Sequence, residues 1–492
     1  MSAPPARPDP VLHRTFTLDD QRAFARLSGD WNPLHVDPVA ARRTMFEGPV
    51  VHGIHLLLWA LDAWLPGAVD GTAPPSAGAA GPGHARAVEL TRLKVAFRKP
   101  ALVGAEVALA FAATAAEEVT LTARSHGQHV LEATVAWRAA PPSTAAPAEH
   151  SWPPAPPVVV DRAAIAAQNG ALALALDRAL ADALLPRATR YLGGAAVAEL
   201  LAMTRLVGME CPGLHSVFAG LTLERREAAA PEVEYAVSLA NLKYSMVHLA
   251  VRGPTLAGTL ATFYRPVPFT PPAPDEIRRA LGALDLTGQR ALVIGGSRGL
   301  GEMFARCVAL AGGQVLLTYH RGAADAERVV AGCEGRARAA ALDVTQPATL
   351  AGALRTTWHH PQPPTHLYYL ATPRIPGVGR YHRTELDTML AYYVEGLVAA
   401  VEAAVALGGP LVVWVPSTVF LSEGGGNAAY CMAKAAMEEL CRRLPQMLPV
   451  QVRCPRLPRI ATDQNASLIQ VEVAPPLDIV VGELGALAQL TG

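Results

Sequence analysis

The 492-residue sequence has no excess of charge of either sign: 42 Lys and Arg stand against 42 Asp and Glu, a formal net charge of zero. With no basic stripe and no acidic tail, a nucleic-acid partner is not expected. Cysteine is scarce. Cys211, Cys307, Cys333, Cys431, Cys441 and Cys454 are scattered, with no Cys-x-x-Cys and no Cys/His ligand spacing. Neither a disulfide framework nor a metal site is therefore expected, and reduced thiols fit a cytoplasmic protein. No uninterrupted apolar run reaches the ~18 residues that span a bilayer, so no membrane partner is expected. Met1–Pro10 lacks a charged start followed by an apolar stretch, so a signal peptide is not expected either.

What is present is apolar substance: 51% hydrophobic residues against 17% charged. At roughly 100–200 residues per domain, about three domains are expected. A softer Gly/Ala/Pro stretch, Pro66–Gly83, reads as a long loop inside the first domain. Two proline-rich breaks lie at Ala139–Pro157, which cannot make regular structure and reads as a stiff linker, and at Pro266–Pro274. They divide the chain into domains at 1–138 and 160–270, a linker at 139–159, and a domain at 275–492. The first domain reads as a short helix (Asp19–Leu27), an apolar helix (Gly53–Leu65) and alternating strands at Glu89–Arg98, Glu106–Ala113, Glu118–Ser125 and His129–Arg138. One long apolar helix followed by an antiparallel meander describes a sheet wrapped around a helix, the hot-dog arrangement. The second domain repeats that order, with a helix at Ala195–Val207 and strands at His215–Leu223, Glu232–Leu239, Tyr244–Val251 and Thr255–Tyr264. An α+β double hot-dog is expected. From Asp275 the pattern becomes βαβ, with buried strands at Ala291–Ile294, Gln314–Tyr319, Ala337–Leu342, Thr365–Thr372 and Pro410–Ser417. That predicts an α/β, doubly wound parallel sheet of Rossmann type.

Chemistry concentrates at two places. Asp30 and His35 lie five residues apart, on a segment that Asn32-Pro33 keeps out of helix. A carboxylate and an imidazole can together activate one water and hand off one proton. Gly53 opens the apolar helix, where its backbone N–H and the helix dipole can face a thioester carbonyl; its missing side chain would let an acyl chain approach. The plainer reading makes Asp30 and Asn32 caps of a turn before Pro33, but His35 and Val51-His52-Gly53 in the same domain favour catalysis. His52, at a helix start, and His215, in Pro212-Gly213-Leu214-His215-Ser216, are expected to be structural. The second domain has no comparable string and is expected to be non-catalytic, building the acyl pocket.

Phe24-Ala-Arg-Leu-Ser-Gly-Asp-Trp-Asn-Pro-Leu-His35, with Phe46–Gly53 and Leu93–Pro100, resembles the signature of MaoC-like, (R)-specific enoyl-thioester hydratases. The resemblance implies that Asp30 and His35 are the catalytic pair, with Asn32 helping to position them.

The second place is Ile294-Gly295-Gly296-Ser297-Arg298-Gly299-Leu300-Gly301, which follows a predicted strand and opens a helix, as a turn holding a dinucleotide pyrophosphate does. Tyr430 and Lys434 share one face of a later helix, and Ser417 ends the preceding strand. Together these resemble the short-chain dehydrogenase/reductase superfamily, from roughly Leu284 to the C-terminus. That implies Tyr430 as proton donor to a carbonyl oxygen, Lys434 as the group that lowers its pKa and holds the nicotinamide ribose, and Ser417 as a hydrogen-bond partner of the substrate oxygen. It also implies cofactor contacts from Gly295, Ser297, Arg298, Gly299, Leu300, Gly301, Asp343, Val344 and Ala371. After the second strand the chain reads Thr318-Tyr319-His320-Arg321. Arg321 and Arg298, with His320 and no carboxylate among them, favour a 2′-phosphate and hence NADP(H). The departures from the family pattern are Leu370-Ala371-Thr372-Pro373, Tyr393 where the family has a structural Asn, and Pro455-Arg456-Leu457-Pro458.

The expectation is a bifunctional enzyme that reduces 3-oxoacyl thioesters and dehydrates the (R)-3-hydroxyacyl product, or hydrates the enoyl thioester in reverse. The carrier would be coenzyme A or acyl carrier protein, in fatty-acid or polyketide-type metabolism, and a homo-oligomer, dimer or tetramer, is expected. Two alternatives are a hydratase with an inert reductase-like scaffold and a non-catalytic acyl-carrier binding module.

Overall fold

The computed structural model describes residues 12–66, 87–141, 146–226, 232–375, 381–462 and 472–491. Apart from Pro66, the loop expected at Pro66–Gly83 falls outside the described residues. Two compact units divide between Val267 and Pro268.

In the first unit, helix α1 (Leu18–Ser28) begins with a capping box between Thr17 and Asp20 and stops at Gly29, whose φ of 81° is left-handed. The reversal sends the chain into Asp30–Asn32. Helix α2 (Gly53–Trp64) is apolar on nearly every side, and Ile54, Leu56, Leu57, Leu58, Ala60 and Leu61 are all buried. Such a helix is stable only inside a core, and ten strands supply it. They are β1 (Leu12–Thr15), β2 (Ala87–Ala96), β3 (Glu106–Ala115), β4 (Glu118–Ser125), β5 (Gln128–Ala140), β6 (Asn169–Ala173), β7 (Ser216–Arg225), β8 (Glu232–Asn241), β9 (Met246–Arg252) and β10 (Leu256–Tyr264). Their order is β1-β3-β4-β5-β2-β7-β10-β9-β8-β6. Read inward from either edge, each five-stranded half has the same sequence: first, third, fourth, fifth and second strand. The halves join where β2 and β7 pair antiparallel, Val95 opposite Leu221. Gly220 permits that seam, because a Cβ there would lie 2.3 Å from the Val95 carbonyl oxygen.

The second half has its own buried helix, α3 (Gly194–Arg205), which ends two residues before the expected Val207. It passes into a wider π turn at Leu206–Glu210, a distortion common at functional sites. The edge strands β1 and β6, four and five residues long, were not expected, since so short an alternation is not distinctive. The proline-rich segment after β5 is irregular but not loose. The Trp152 N–H donates to Arg26 O at 3.0 Å, and the Arg205 guanidinium sits 3.9 Å over the Trp152 ring.

The second unit holds a parallel sheet of six strands: β11 (Arg290–Ile294), β12 (Gln314–Tyr319), β13 (Ala337–Ala341), β14 (His366–Tyr369), β15 (Leu411–Trp414) and β16 (Val450–Arg453). Their order is β13-β12-β11-β14-β15-β16, so the strand order reverses between β11 and β14, a switch point where α/β sheets bind ligands. Helix α4 (Gly299–Leu310) follows β11, and α5 (Ala428–Met447) precedes β16. One described helical run, Arg383–Val405, has the length and apolarity of a membrane span. Here it is broken by a π turn at Ala391–Glu395, and Leu397, Ala400, Val401 and Ala404 pack into the unit's core.

Candidate active sites

Asp30, His35 and His52 converge. A carboxylate oxygen of Asp30 and a ring nitrogen from each imidazole lie within 4.8 Å of one another. Asn32 caps the short helix Pro33–Val36, its Oδ1 accepting from the Leu34 N–H, and that helix carries His35. His35 Nδ1–H donates to Val50 O at 2.6 Å, which leaves Nε2 as the working nitrogen. The His52 ring stacks on the His35 ring with centroids 3.9 Å apart. Both His52 nitrogens face oxygen acceptors, Gln21 Oε1 at 2.9 Å and Asp30 O at 3.0 Å. His52 thus braces the pair, its neutral ring held by these two contacts. His55 is a core residue, stacked on Phe24 at 4.4 Å, and burial pushes its pKa down to about 3.

Burial raises the Asp30 carboxyl above the usual range, against the His35 charge and the bonds from Thr204 and Asn32. Burial lowers His35, although Asp30 and the Val50 bond pull it back up; Arg265 lowers it further. Opposed shifts on adjacent groups separate an acid role from a base role.

The second half of the sheet completes this site. Thr204 Oγ1 donates to Asp30 Oδ2 at 2.6 Å. The π turn brings Gly208 against Asp30, so close that a Cβ would lie 2.2 Å from Asp30 Oδ1. Asn32 Nδ2 donates to Gly208 O at 2.9 Å, Gly213 O at 3.2 Å and Leu214 O at 3.3 Å. Asn32 is therefore a rivet between the halves as well as a cap. The sequence carried no local signal for Thr204, Gly208 or Arg265. The expected reason for Gly53 is corrected: the space above it is taken by this chain's own Phe97 ring, 2.9 Å from where a Cβ would sit. The α2 end that it opens has no side-chain cap.

In the second unit the glycine turn leaves no room for side chains. A Cβ at Gly295 would meet Ala371 N at 2.8 Å, one at Gly296 would meet Leu317 Cβ at 2.7 Å, and one at Gly301 would meet Gly295 O at 2.2 Å. Gly299 has φ 56°, Arg298 precedes α4, and no side chain caps that helix end. The geometry suits a pyrophosphate on a helix N-terminus. Ser297 and Leu300 lie within this turn and the first turn of α4. His320 Nε2 lies 3.5 Å from Asp343 Oδ2. Burial would raise the Asp343 carboxyl, but the Thr345 bonds and the His320 and Arg321 charges bring it below its ordinary value. Val344 is buried beside Asp343. The positive side chains expected to meet a 2′-phosphate thus have a carboxylate among them.

Asn427 caps α5 through the Tyr430 N–H, which fixes Tyr430 and Lys434 on one face. Ser417 does not meet Tyr430: its hydroxyl donates to Glu438 Oε1 at 2.5 Å, and Arg456 clamps that carboxylate with two bonds. The hydroxyl bonded to the Tyr430 phenol is that of Thr418. The expected influence of Lys434 is also corrected. Burial pushes Tyr430 up to about 12 and Lys434 down to about 8. The Lys434 Nζ donates to Pro416 O at 2.7 Å and lies 4.0 Å over the Tyr393 ring, against 5.9 Å from the Tyr430 ring centre. Tyr393 in turn shares a 2.5 Å hydrogen bond with Thr372.

These features define a hot-dog unit with a carboxylate–imidazole site and a Rossmann-like unit with a nucleotide cradle. Residues 2–135 match the MaoC like domain and residues 289–468 the short chain dehydrogenase family. The chain carries a MaoC-like dehydratase domain at its N-terminal end and a short-chain dehydrogenase domain at its C-terminal end. A 52-residue stretch is 50% identical to peroxisomal multifunctional enzyme type 2 of Mus musculus, covering 11% of this chain and 7% of that protein. A 45-residue stretch is 51% identical to the (R)-specific enoyl-CoA hydratase of Aeromonas caviae, covering 9% of this chain and 34% of that protein. The matches thus span much less than the full length of these relatives. A short-chain dehydrogenase/reductase structure from Serratia marcescens superposes with a TM-score of 0.37 at 22% identity, over 42% of this chain and 92% of that one.

Proposed function

We propose that the chain is a bifunctional acyl-thioester enzyme: a double hot-dog (R)-3-hydroxyacyl dehydratase, or 2-enoyl hydratase in reverse, joined to an NADPH-dependent 3-oxoacyl reductase. One intermediate, the 3-hydroxyacyl thioester, would serve both chemistries. The observation that carries this reading is the convergence of Asp30 and His35 with their opposed pKa shifts. In dehydration, neutral His35 takes the C2 proton through Nε2. The C–H electrons form the C2–C3 double bond, and the departing hydroxyl takes the Asp30 proton and leaves as water. Transfer of the proton from His35 back to Asp30 restores the site. The N-terminal end of α2 suits the negative charge that develops on the thioester oxygen.

In the reductase unit, the Gly295–Gly301 turn would hold the pyrophosphate, and Arg298, His320 and Arg321 a 2′-phosphate, with Asp343, Val344 and Ala371 around the adenosine side. NADPH, when bound, supplies the hydride. Tyr430, linked to Thr418, would protonate the substrate oxygen. A second reading, a cofactor-binding scaffold without turnover, is favoured by the engagement of Lys434 with Pro416 and Tyr393.

The test follows NADPH and enoyl-thioester absorbance together on coenzyme A and acyl-carrier thioesters of several chain lengths. Asp30→Asn should abolish enoyl formation alone and Tyr430→Phe NADPH oxidation alone. Absence of either wild-type activity across the panel overturns the bifunctional reading, and NADPH binding without oxidation selects the scaffold.

A further inference from the structure

Arg265 follows β10, at the end of the first unit. Its N–H donates to His215 O at 2.7 Å, and its Nη2 donates to Leu214 O at 2.5 Å. That same Leu214 carbonyl accepts from Asn32 Nδ2, so the guanidinium stands one carbonyl away from the residue that links Asp30 to His35. Its side chain is buried, with 3% exposure, yet Nε and Nη1 have no hydrogen-bond partner. Among the described residues it makes no ion pair. Its charge is felt on both sides: it pulls His35 down from one side and His215 from the other. A buried cation with no counter-charge and two unbonded donors, Nε and Nη1, is costly to fold around, and a negatively charged oxygen would satisfy both wants.

We infer that Arg265, reaching the site from the second half of the sheet, is an anion-binding residue of the Asp30–His35 site, and that it takes a negatively charged oxygen of the thioester substrate through Nε–H and Nη1–H. That oxygen is either the thioester oxygen as it becomes an enolate or a carboxylate on the acyl chain. The inference rests on the hydratase reading and gives it a residue that specifies charge. The groups facing His35 are Asp30, His52 and Arg265, with His215 beyond the guanidinium, so removal of one positive charge has a defined effect on the His35 titration.

The experiment uses the full chain and the variants Arg265→Met, Arg265→Lys and Arg265→Gln. Hydration is measured with crotonyl-CoA, which is neutral along its acyl chain, and with a 2-enoyl-CoA whose chain ends in a carboxylate. The His35 imidazole is titrated by NMR, assigned by its loss in His35→Gln. An enolate contact lowers kcat on both substrates at least tenfold in R265M with KM little changed. A chain-carboxylate contact raises KM at least tenfold on the second substrate alone. In either case His35 titrates at higher pH in R265M, and R265K retains most of the wild-type behaviour. If R265M does not fold, R265Q, which keeps a donor for Leu214, is read the same way. Unchanged kcat and KM on both substrates with an unmoved His35 titration overturns the inference. The titration needs no turnover, so an inactive wild type, which defeats the hydratase reading, remains distinguishable from an unmoved His35.

Discussion

The hydroxyl of Thr204 donates to the Asp30 carboxylate at 2.6 Å across 174 residues of chain. The Asp30 carboxylate of the first half of the sheet is thus held by the buried helix of the second, although that half carries no Asp-x-Asn-Pro-x-x-His string of its own.

Thr204→Val keeps the shape of the side chain and removes that bond. A hydrogen bond to a charged group contributes about 1.5–3 kcal/mol, so the dehydratase rate should fall roughly 10- to 100-fold. The lost bond is one of the contacts that hold the Asp30 pKa down. The Asp30 limb of the pH–rate profile should therefore move to higher pH; a profile unmoved from wild type contradicts the assigned role.

Gly208→Ala tests the close approach of the π turn. The added methyl would occupy space 2.2 Å from Asp30 Oδ1, so Asp30 or the turn must shift. Overpacking of this kind costs about 1–3 kcal/mol, and a misplaced reacting group costs about 100-fold in rate. Thermal unfolding and hydration kinetics of the variant should show both losses, with reductase activity retained.

Thr418→Val and Ser417→Ala separate two neighbouring hydroxyls. Among the described residues only Thr418 bonds the Tyr430 phenol, so T418V should lower the NADPH-dependent rate about tenfold, the loss of a hydrogen bond of roughly 1.4 kcal/mol. S417A, which frees Glu438 on Arg456, should cost less than half as much in free energy. The opposite order would return the role to Ser417.

Lys434 supplies a pH signature of stability. Its folded pKa is about 8 against an ordinary 10.5, so between those values the unfolded chain binds more protons than the folded one. Stability of the C-terminal unit should therefore gain from this group as pH rises from about 8 toward 10.5, and below about 8 its full burial cost is present. Lys434→Met should unfold later than wild type near pH 7, and the gap between them should close with rising pH. A gap that widens with pH contradicts the assignment.

Much of the fold was legible because its signals are local. Gly53–Leu65 is apolar on nearly every face, the strands around β4 alternate cleanly, and the Gly295–Gly301 turn sits between a strand and a helix. Asp30 and His35 could be paired because Asn32-Pro33 fixes a short chain segment between them. Thr204, Gly208 and Arg265 were not legible. They reach Asp30 and His35 only through the pairing of β2 with β7 and the π turn after α3, and nothing in their neighbours along the chain says so. Ser417 and Thr418 are adjacent and chemically alike, and only the parallel ladder of Ser417–Thr418 with Arg456–Leu457 decides which one turns toward Tyr430. The reason assigned to Gly53 was mistaken because Phe97 lies 44 positions away, just beyond the end of β2.

The seam at Gly220 also bears on how the protein could be divided. A fragment ending near residue 141 would keep Asp30, His35 and α2 but expose the whole β2 edge, a row of unsatisfied backbone groups that seeks a partner strand. The readiest substitute is β2 of a twin fragment. Such a piece would self-associate rather than stay solitary, and without Thr204 and Gly208 its carboxylate would have no clamp.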